Sequence, residues 1–428
     1  MPLVTGVMTS RLVMKFGGTS VADLERIARV GRLVAAEARP GRGIAVVVSA
    51  MSGETNKLVA WTDSIGPSAA GLPENDDEYD VIVASGEQVT AGLLAMMLRR
   101  MGLNARSWLG WQVPILCDEA HGRARIDDIP AQSLGERVDS GEIAVIAGFQ
   151  GVTPDGRITT LGRGGSDTSA VAIAAALKAE RCDIYTDVDG VYTTDPRIER
   201  RARRIPRISY EEMLEMASLG AKVLQTRSVE LAMAQRVPVR VLSSFTEPED
   251  LARAANDVGT VVCDEETIVE KRIVSGVAYS RDEAKITLFG LPDHPGVSQK
   301  IFEGLADANV NVDMIVQSRA RSAEVANMSF TVGKRDAARA MEIVQSHQPE
   351  IGFEAAELDE EVSKVSVVGV GMRSHTGVAK TMFSALADKG VNIQVISTSE
   401  IKISVLIEAA YTELAVRALH AAYGLAEG

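Results

Sequence analysis

The run Thr159-Thr160-Leu161-Gly162-Arg163-Gly164-Gly165-Ser166-Asp167-Thr168-Ser169-Ala170 carries residue types suited to holding an anion. Its three glycines let a backbone approach a ligand closely and turn its N–H groups inward. Arg163 offers a planar fork that fits a carboxylate or a phosphate. Asp167 places a carboxylate at the entrance of Ala170–Ala179, a small, apolar, helix-forming stretch whose dipole adds a positive end. An apolar run, Ile143–Phe149, and a Gly-rich hairpin come before it. The whole reads as an anion site at a strand–loop–helix junction, a mere turn being the plain alternative. A second polar cluster follows in Asp183-Ile184-Tyr185-Thr186-Asp187-Val188-Asp189-Gly190-Val191-Tyr192-Thr193-Thr194-Asp195-Pro196. There a strand delivers polar residues at its C-terminal end, where open α/β sheets bind ligands.

The flanking segments supply the elements that must position these residues. Leu12–Phe16 is a short apolar strand broken by Gly17-Gly18, and Ser20 and Asp23 make a capping-box-like start for a helix to about Arg39. Its apolar positions Ile27, Val30, Leu33 and Val34 repeat at helical spacing. Ile44–Val48 is a continuous apolar strand, as in a parallel sheet covered on both faces, ending in the small polar loop Ser49–Thr55. Acidic Glu74–Asp80 reads as a solvated loop and Val81–Met101 as a buried helix. Within that helix Glu87 stands alone among Val83, Ala84, Val89, Ala91 and Leu93. A carboxylate so placed needs a partner, unless the position faces water. Residues 104–126 read as strands and loops. Helices over Tyr210–Leu219 and Ala221–Arg236, closing strands Val239–Ser243 and Thr260–Cys263, and a polar linker Asp264–Glu270 complete an α/β pattern.

At 428 residues the chain has room for two or three domains. Hydrophobic content of 46% with 24% charged residues is that of a soluble globular protein, and a net charge of −13 argues against nucleic acid as a partner. The basic run Arg197, Arg200, Arg201, Arg203, Arg204 and Arg207 lacks interleaved aromatics and reads as a solvated loop near the anion site. Cys117, Cys182 and Cys263 are far apart, which fits buried thiols in a reducing cytosol. The five histidines are scattered, so no metal cluster is visible. No apolar run approaches a membrane span, the start lacks a cleavable signal layout, and Met8 is an alternative start to Met1.

Beyond the linker the chain repeats itself at a constant offset of 81 residues. His294-Pro295-Gly296-Val297 matches His375-Thr376-Gly377-Val378, Phe302 matches Phe383, and Leu305-Ala306-Asp307 matches Leu386-Ala387-Asp388. Val310-Asn311-Val312 likewise matches Val391-Asn392-Ile393. Two copies of one small module follow. The first has strands near 285–291, 311–317, 325–332 and 351–356, with helices near 296–308 and 335–347. The second has strands near 364–370, 391–397 and 401–408 and helices near 377–388 and 412–422, then ends without a last strand. The unpaired strand Lys271–Ala278 is expected to fill that gap, with Ile273–Val277 completing the second sheet.

Three motifs in order, Lys15-Phe16-Gly17-Gly18-Thr19-Ser20, Gly162–Asp167 and Thr186–Pro196, together resemble the aspartokinases of the amino acid kinase superfamily. The repeated modules resemble the paired ACT domains of the monofunctional form. The resemblance runs from about Leu12 to the C-terminus, and there is no G-x-x-x-x-G-K-[ST] stretch of a P-loop enzyme. It implies a mainly parallel sheet between helix layers over 11–263, a linker over 264–270 and a regulatory domain over 271–428. The two βαββαβ ACT modules then cover about 283–357 and about 363–428, the second completed by a strand from 271–278. The implied reaction is ATP-dependent phosphorylation of the side-chain carboxylate of L-aspartate, with Mg2+ on the phosphates. This is the entry to lysine, threonine and methionine biosynthesis.

The resemblance also implies roles. Lys15 and Lys222 handle the phosphates from opposite sides, Asp167 orients both lysines, and Glu87 balances the substrate ammonium. Ser49, Thr55, Arg163, Gly164, Gly165 and Ser166 form the amino-acid site. Phe16, Gly17, Gly18, Thr186, Asp187, Tyr192, Thr193, Asp195, Pro196 and Arg197 map to the nucleotide side. Amino-acid effectors, lysine or threonine or both, fall to Asp293, His294, Gly296, Val297, Ser298, Asn311, Asp313 and Gln317 in the first module. Their counterparts in the second are Thr376, Gly377, Asn392, Ile393, Ser399 and Glu400. Thr376 replaces Pro295, and the 318–328 segment departs from the family pattern, so the effector assignment stays open. No metal ligand is assigned. A cytoplasmic homo-oligomer paired through ACT modules is implied, with no membrane partner. The alternatives are a kinase for glutamate or N-acetylglutamate, or a sensor that binds nucleotide without turnover.

Overall fold

The computed structural model describes residues 10–65, 76–219, 223–253, 258–268, 272–319 and 325–427. These fall into two units. The first comprises Met1–Val191, Arg204–Ala217 and Lys222–Val269, and the second Tyr192–Arg203, Ser218–Ala221 and Glu270–Gly428. The segment Tyr192–Arg203, expected with the catalytic half, thus counts with the C-terminal half.

The main sheet of the first unit has eight strands. Their order is Arg207–Ser209, Thr260–Cys263, Val239–Ser243, Arg181–Thr186, Ser10–Phe16, Arg42–Val48, Ile143–Ala147 and Ala105–Trp108. All neighbours are parallel except Val239–Ser243 with Thr260–Cys263. This is the mainly parallel sheet that the resemblance implies. Leu12–Phe16 and Gly43–Val48 are buried throughout, as an unbroken apolar run requires when helices cover both faces. The helix Leu24–Glu37 is capped by Asp23, whose carboxylate accepts from Arg26 N at 2.8 Å. It buries Ile27, Val30, Leu33 and Val34 in a core shared with Ala91, Leu94 and Leu98. It stops short of Arg39, since Pro40 disfavours a helical residue before it.

Several expectations are corrected here. Glu74–Asp80 is not simply a solvated loop, because Asp76–Val83 is helical and Asp80 has 0% exposure. The expected single helix over Val81–Met101 is two, Asp76–Val83 and Ser85–Arg100, meeting at Ala84. Together Asp76–Arg100 is long and apolar enough to cross a membrane by length and composition, and half of its apolar window is buried inside the fold. Residues 104–126 are strands and loops as expected, with strands Ala105–Trp108 and Leu116–Cys117 and a third starting at Ile126. Leu116–Cys117 joins a small sheet with Ile126–Asp128, Gln150–Val152 and Ile158–Thr160. Of the helix expected over Ala221–Arg236, whose first two residues lie outside the described residues, Thr226–Gln235 is helical. The three cysteines are buried and free.

The second unit holds one six-stranded antiparallel sheet rather than two separate ones. Its order is Val312–Arg319, Val325–Val332, Gly276–Pro292, Ala355–Val368, Lys402–Glu408 and Val395–Thr398. The strands expected near 271–278 and 285–291 are one 17-residue strand, and those near 351–356 and 364–370 are one of 14 residues. Hydrophobic runs placed back to back let each long strand pass through both repeats. Gly276–Ser280 pairs with Lys364–Val368, and Thr287–Phe289 with Glu357–Ala355. Each repeat keeps its own core. Ile286, Leu288, Ile301, Leu305 and Phe330 form one, and Val274, Val277, Val365, Met382, Leu386 and Leu419 the other.

Candidate active site

Parallel register brings the strand ends of the first unit to one edge. Phe16 pairs with Val48 and with Tyr185, and Val48 with Ala147. Gly17-Gly18, Ser49-Ala50, Gly148 and Thr186 therefore leave the sheet side by side, the place where such sheets take ligands. Gly18 is held by close approach, since a Cβ there would meet the Ala50 carbonyl at 3.0 Å. The Phe16 and Tyr185 rings stack with centroids 4.6 Å apart below this edge.

Lys15 and Asp167 meet here, ammonium to carboxylate at 2.5 Å, each only 8% exposed. The helix bearing Asp167 runs Gly165–Ala176 and so begins before Ala170. Gly164 takes φ +73° at its N-cap, a conformation glycine adopts freely. Ser166 and Asp167 then lie in the first turn, where the helix dipole favours a carboxylate. Ser166 packs on Gly148, whose Cβ would come 2.9 Å from that of Ser166. Arg163 is exposed beside them and has no ion-pair partner among the described residues.

Glu87 is 3% exposed. Its Oε1 accepts from Ala50 N at 2.9 Å, while Oε2 is buried without a partner. Burial pushes its pKa up to about 7, against the opposing pull of the Ala50 amide and Lys15. A buried carboxylate with one free oxygen beside a buried lysine is arranged to receive a cation and an anion together. Ser49 and Thr55 are half-buried at the same edge, Thr55 in the first turn of the helix Glu54–Ile65.

A model of the amino acid kinase family matches residues 10–243, and an ACT-domain model matches 286–348 and 365–423. Aspartate kinase of Stutzerimonas stutzeri strain A1501 is 53% identical over 415 residues, covering 97% of each chain. The chain belongs to the aspartate kinase family. Its activity is that of an aspartate kinase, a phosphotransferase with a carboxyl group as acceptor. Among solved structures it is similar to E. coli aspartokinase III in complex with aspartate and ADP (29% identity, TM-score 0.76, 96% of this chain and 99% of that one). It is similar also to the same enzyme in complex with lysine and aspartate (29% identity, TM-score 0.74, 96% and 98%).

The remaining expected site residues of this aspartate kinase are divided between the two units. Thr186 Oγ1 donates to Asp187, which is exposed at the end of the strand Arg181–Thr186. Tyr192, Thr193, Asp195, Pro196 and Arg197 belong to the second unit. Thr193 Oγ1 is 2.9 Å from His420 Nε2, and Asp195 accepts from Tyr279 Oη at 3.1 Å. The Arg197 guanidinium holds the Asp195 carboxyl below its usual range. The basic run is exposed at Arg197, Arg200, Arg201, Arg203 and Arg207, with Arg197 and Arg201 pairing at the surface with Asp195 and Glu199. Lys222 lies outside the described residues.

The effector candidates sit at matched loop–helix junctions. Gly296 and Gly377 both take φ +98° and cap the helices Val297–Asp307 and Val378–Ala387. Val297 starts its helix buried, while Asp293, His294, Asn311, Gln317, Asn392, Ser399 and Glu400 are exposed, and Ser298 and Ile393 half-buried. Asp293 pairs with Arg319 at 2.9 Å and Asp313 with Lys364 at 2.6 Å. Thr376 and Gly377 line a groove with Ile273, Val274 and Tyr423. The sequence reading missed the Ala50 amide, Gly148 and Asp80. Asp80 shares the helical spacing of Ala84, Glu87 and Ala91, the signal that could have marked it as buried.

Proposed function

We propose that the enzyme transfers the γ-phosphoryl group of ATP to the side-chain carboxylate of L-aspartate, at a site built on Lys15, Asp167 and Glu87. The observation that carries this reading is the buried Lys15–Asp167 pair at the same sheet edge as a buried carboxylate with an unpaired oxygen. Phosphoryl transfer asks a protein for positioning and charge balance more than for covalent help. Lys15 balances the charge of the transferring group, and Asp167 fixes the ammonium. Glu87 takes the substrate ammonium on Oε2, and Arg163, Ser166 and the Gly164-Gly165 backbone take a carboxylate, with Ser49 and Thr55 beside them. Phe16, Gly17, Gly18, Thr186, Asp187 and the segment 192–197 serve the nucleotide, with Lys222 as second phosphate lysine. The catalytic part is 11–263 and the regulatory part 271–428.

Magnesium enters with the nucleotide, since the ion favours phosphate oxygens and water over an all-protein cage. Among the described residues no group of three or more His, Cys, Asp or Glu side chains could hold an ion alone. Feedback by lysine, threonine or both acts at the ACT junctions, in a cytoplasmic homo-oligomer at the first step of lysine, threonine and methionine formation. Two findings support the regulatory part of this reading: the paired ACT match and, for lysine, the lysine complex of the E. coli enzyme. A coupled ADP-release assay with L-aspartate, L-glutamate and N-acetyl-L-glutamate tests the substrate. Turnover with L-aspartate alone is expected, and ADP release with none of the three would favour a sensor. The same assay with lysine and threonine, singly and together, reads the regulation.

A further inference from the structure

The glycine loop is preceded by a clasp that no expected site residue accounts for. Asp80, with no exposed surface, accepts from Thr160 N at 2.9 Å and from the Thr160 hydroxyl. It also accepts from Gly122 N at 2.9 Å and lies 2.9 Å from His121 Nδ1. The Thr160 carbonyl in turn accepts from Ala124 N at 2.9 Å. Next along the chain, Leu161 N donates to the Phe149 carbonyl at 2.9 Å, and the Leu161 carbonyl accepts from Arg227 at 2.9 Å. Arg227 reaches Ala124 O as well, at 2.8 Å. Every backbone polar group of Thr160 and Leu161 is thus engaged, immediately before Gly162. Gly162 takes φ +75°, and a Cβ on it would come 3.1 Å from the Gly122 carbonyl. The loop therefore leaves its strand from one fixed point, pressed against the turn that Asp80 also holds.

A buried carboxylate costs free energy unless its oxygens are filled, and here both are. Asp80 lies seven residues before Glu87, on the helix Asp76–Val83 that runs into the helix bearing Glu87. One helical path thus carries the side chain that fixes the glycine loop and the side chain proposed for the substrate ammonium. We propose that Asp80, clasped to Thr160, is a positioning residue that sets where Gly162–Ser166 meets the amino-acid substrate. This rests on the reading that Gly162–Ser166 binds L-aspartate. Small displacements of such a loop weaken substrate binding, because the hydrogen bonds and ion pairs it offers the substrate lengthen and lose their aim.

The test is a set of variants assayed for the KM of L-aspartate and of ATP and for thermal midpoint. Thr160→Val keeps the shape and removes the hydroxyl donor to Asp80. It raises the KM for L-aspartate about tenfold and leaves that for ATP within about twofold. Thr160→Ser restores both values, and Asp80→Asn, whose NH2 must face the Gly122 amide in either orientation because that amide donates to both carboxylate oxygens, shifts the L-aspartate KM further. Should Asp80→Asn fail to fold, the Thr160 pair carries the test. Arg163→Ala is the control on the underlying reading. If Arg163→Ala raises the L-aspartate KM and Thr160→Val leaves it unchanged, the positioning role of Asp80 is overturned. A Thr160→Val variant that raises both KM values alike with a lowered thermal midpoint overturns it too, leaving a scaffold role. If Arg163→Ala leaves the L-aspartate KM unchanged, the substrate loop itself has been misassigned.

Discussion

Asp183 and Glu87 are both buried carboxylates of the first unit, yet they are finished differently. Asp183, in the middle of the strand Arg181–Thr186, has no exposed surface and is gripped by two guanidinium groups. Its Oδ1 accepts from Arg181 at 2.8 Å and Arg240 at 3.1 Å, and its Oδ2 from Arg240 at 2.6 Å and Arg181 at 3.3 Å. Glu87 has one amide on one oxygen and nothing on the other. Folding alone explains the first arrangement, since planar forks satisfy every lone-pair direction of a carboxylate. It does not explain the second, which keeps a buried carboxyl oxygen unpaired in a position that a ligand would complete. Completeness of pairing, more than burial, separates scaffold from site here.

The sharpest way to break that contrast is to empty the finished centre. Asp183→Ala removes the carboxylate that Arg181 and Arg240 share, leaving Arg181 only the half-exposed Glu180. Removing one partner of a buried ionic group costs about 3–5 kcal/mol, read as a lower urea midpoint. The kcat of the protein that remains folded is expected to stay within about twofold of the parent. A large fall in kcat with unchanged stability would make Asp183 part of the site and undo the distinction.

Lys15→Ala makes the opposite case. It lowers kcat by at least about a hundredfold, the size expected when charge stabilisation of a transition state is lost. Near-normal turnover would remove Lys15 from the mechanism.

The same contrast shows what the sequence could disclose. Glycines, Arg163 and Asp167 are legible because their types are unusual at a strand–helix junction, and Lys15 because two glycines follow it. The parallel sheet was legible because Ile44–Val48 and Ile143–Ala147 are unbroken apolar runs. Asp80 and Asp183 were not singled out, because an acidic residue carries no mark of burial when its partners lie far along the chain, at Thr160 and Arg240. The fused strands Gly276–Pro292 and Ala355–Val368 were cut in two for a related reason. Exposed polar residues at their middles, Arg281 and Asp282 in one and Glu360 and Glu361 in the other, resemble loop punctuation. The strands run through register shifts at these residues and are held by pairing on either side of them.

Glu87→Gln gives the smallest change and the most specific one. The carboxyl titrates near 7 because burial disfavours its charge, so the folded chain holds a proton that the unfolded chain releases near pH 4.5. Between those values the native state binds more protons, and the contribution of Glu87 to stability falls as pH rises. Binding runs the other way, since only the ionised form balances an ammonium. The ratio of parent to variant kcat/KM for L-aspartate therefore climbs about tenfold per unit up to about pH 7 and then levels, while the stability of the parent relative to the variant declines over the same range. Both curves are measured on the same two proteins between pH 5.5 and 8.5, a window chosen to bracket a carboxyl near 7 with about 1.5 units on either side. A flat kcat/KM ratio beside a sloping stability difference would leave Glu87 buried and strained but facing no substrate, and its unpaired oxygen would then need another explanation than catalysis.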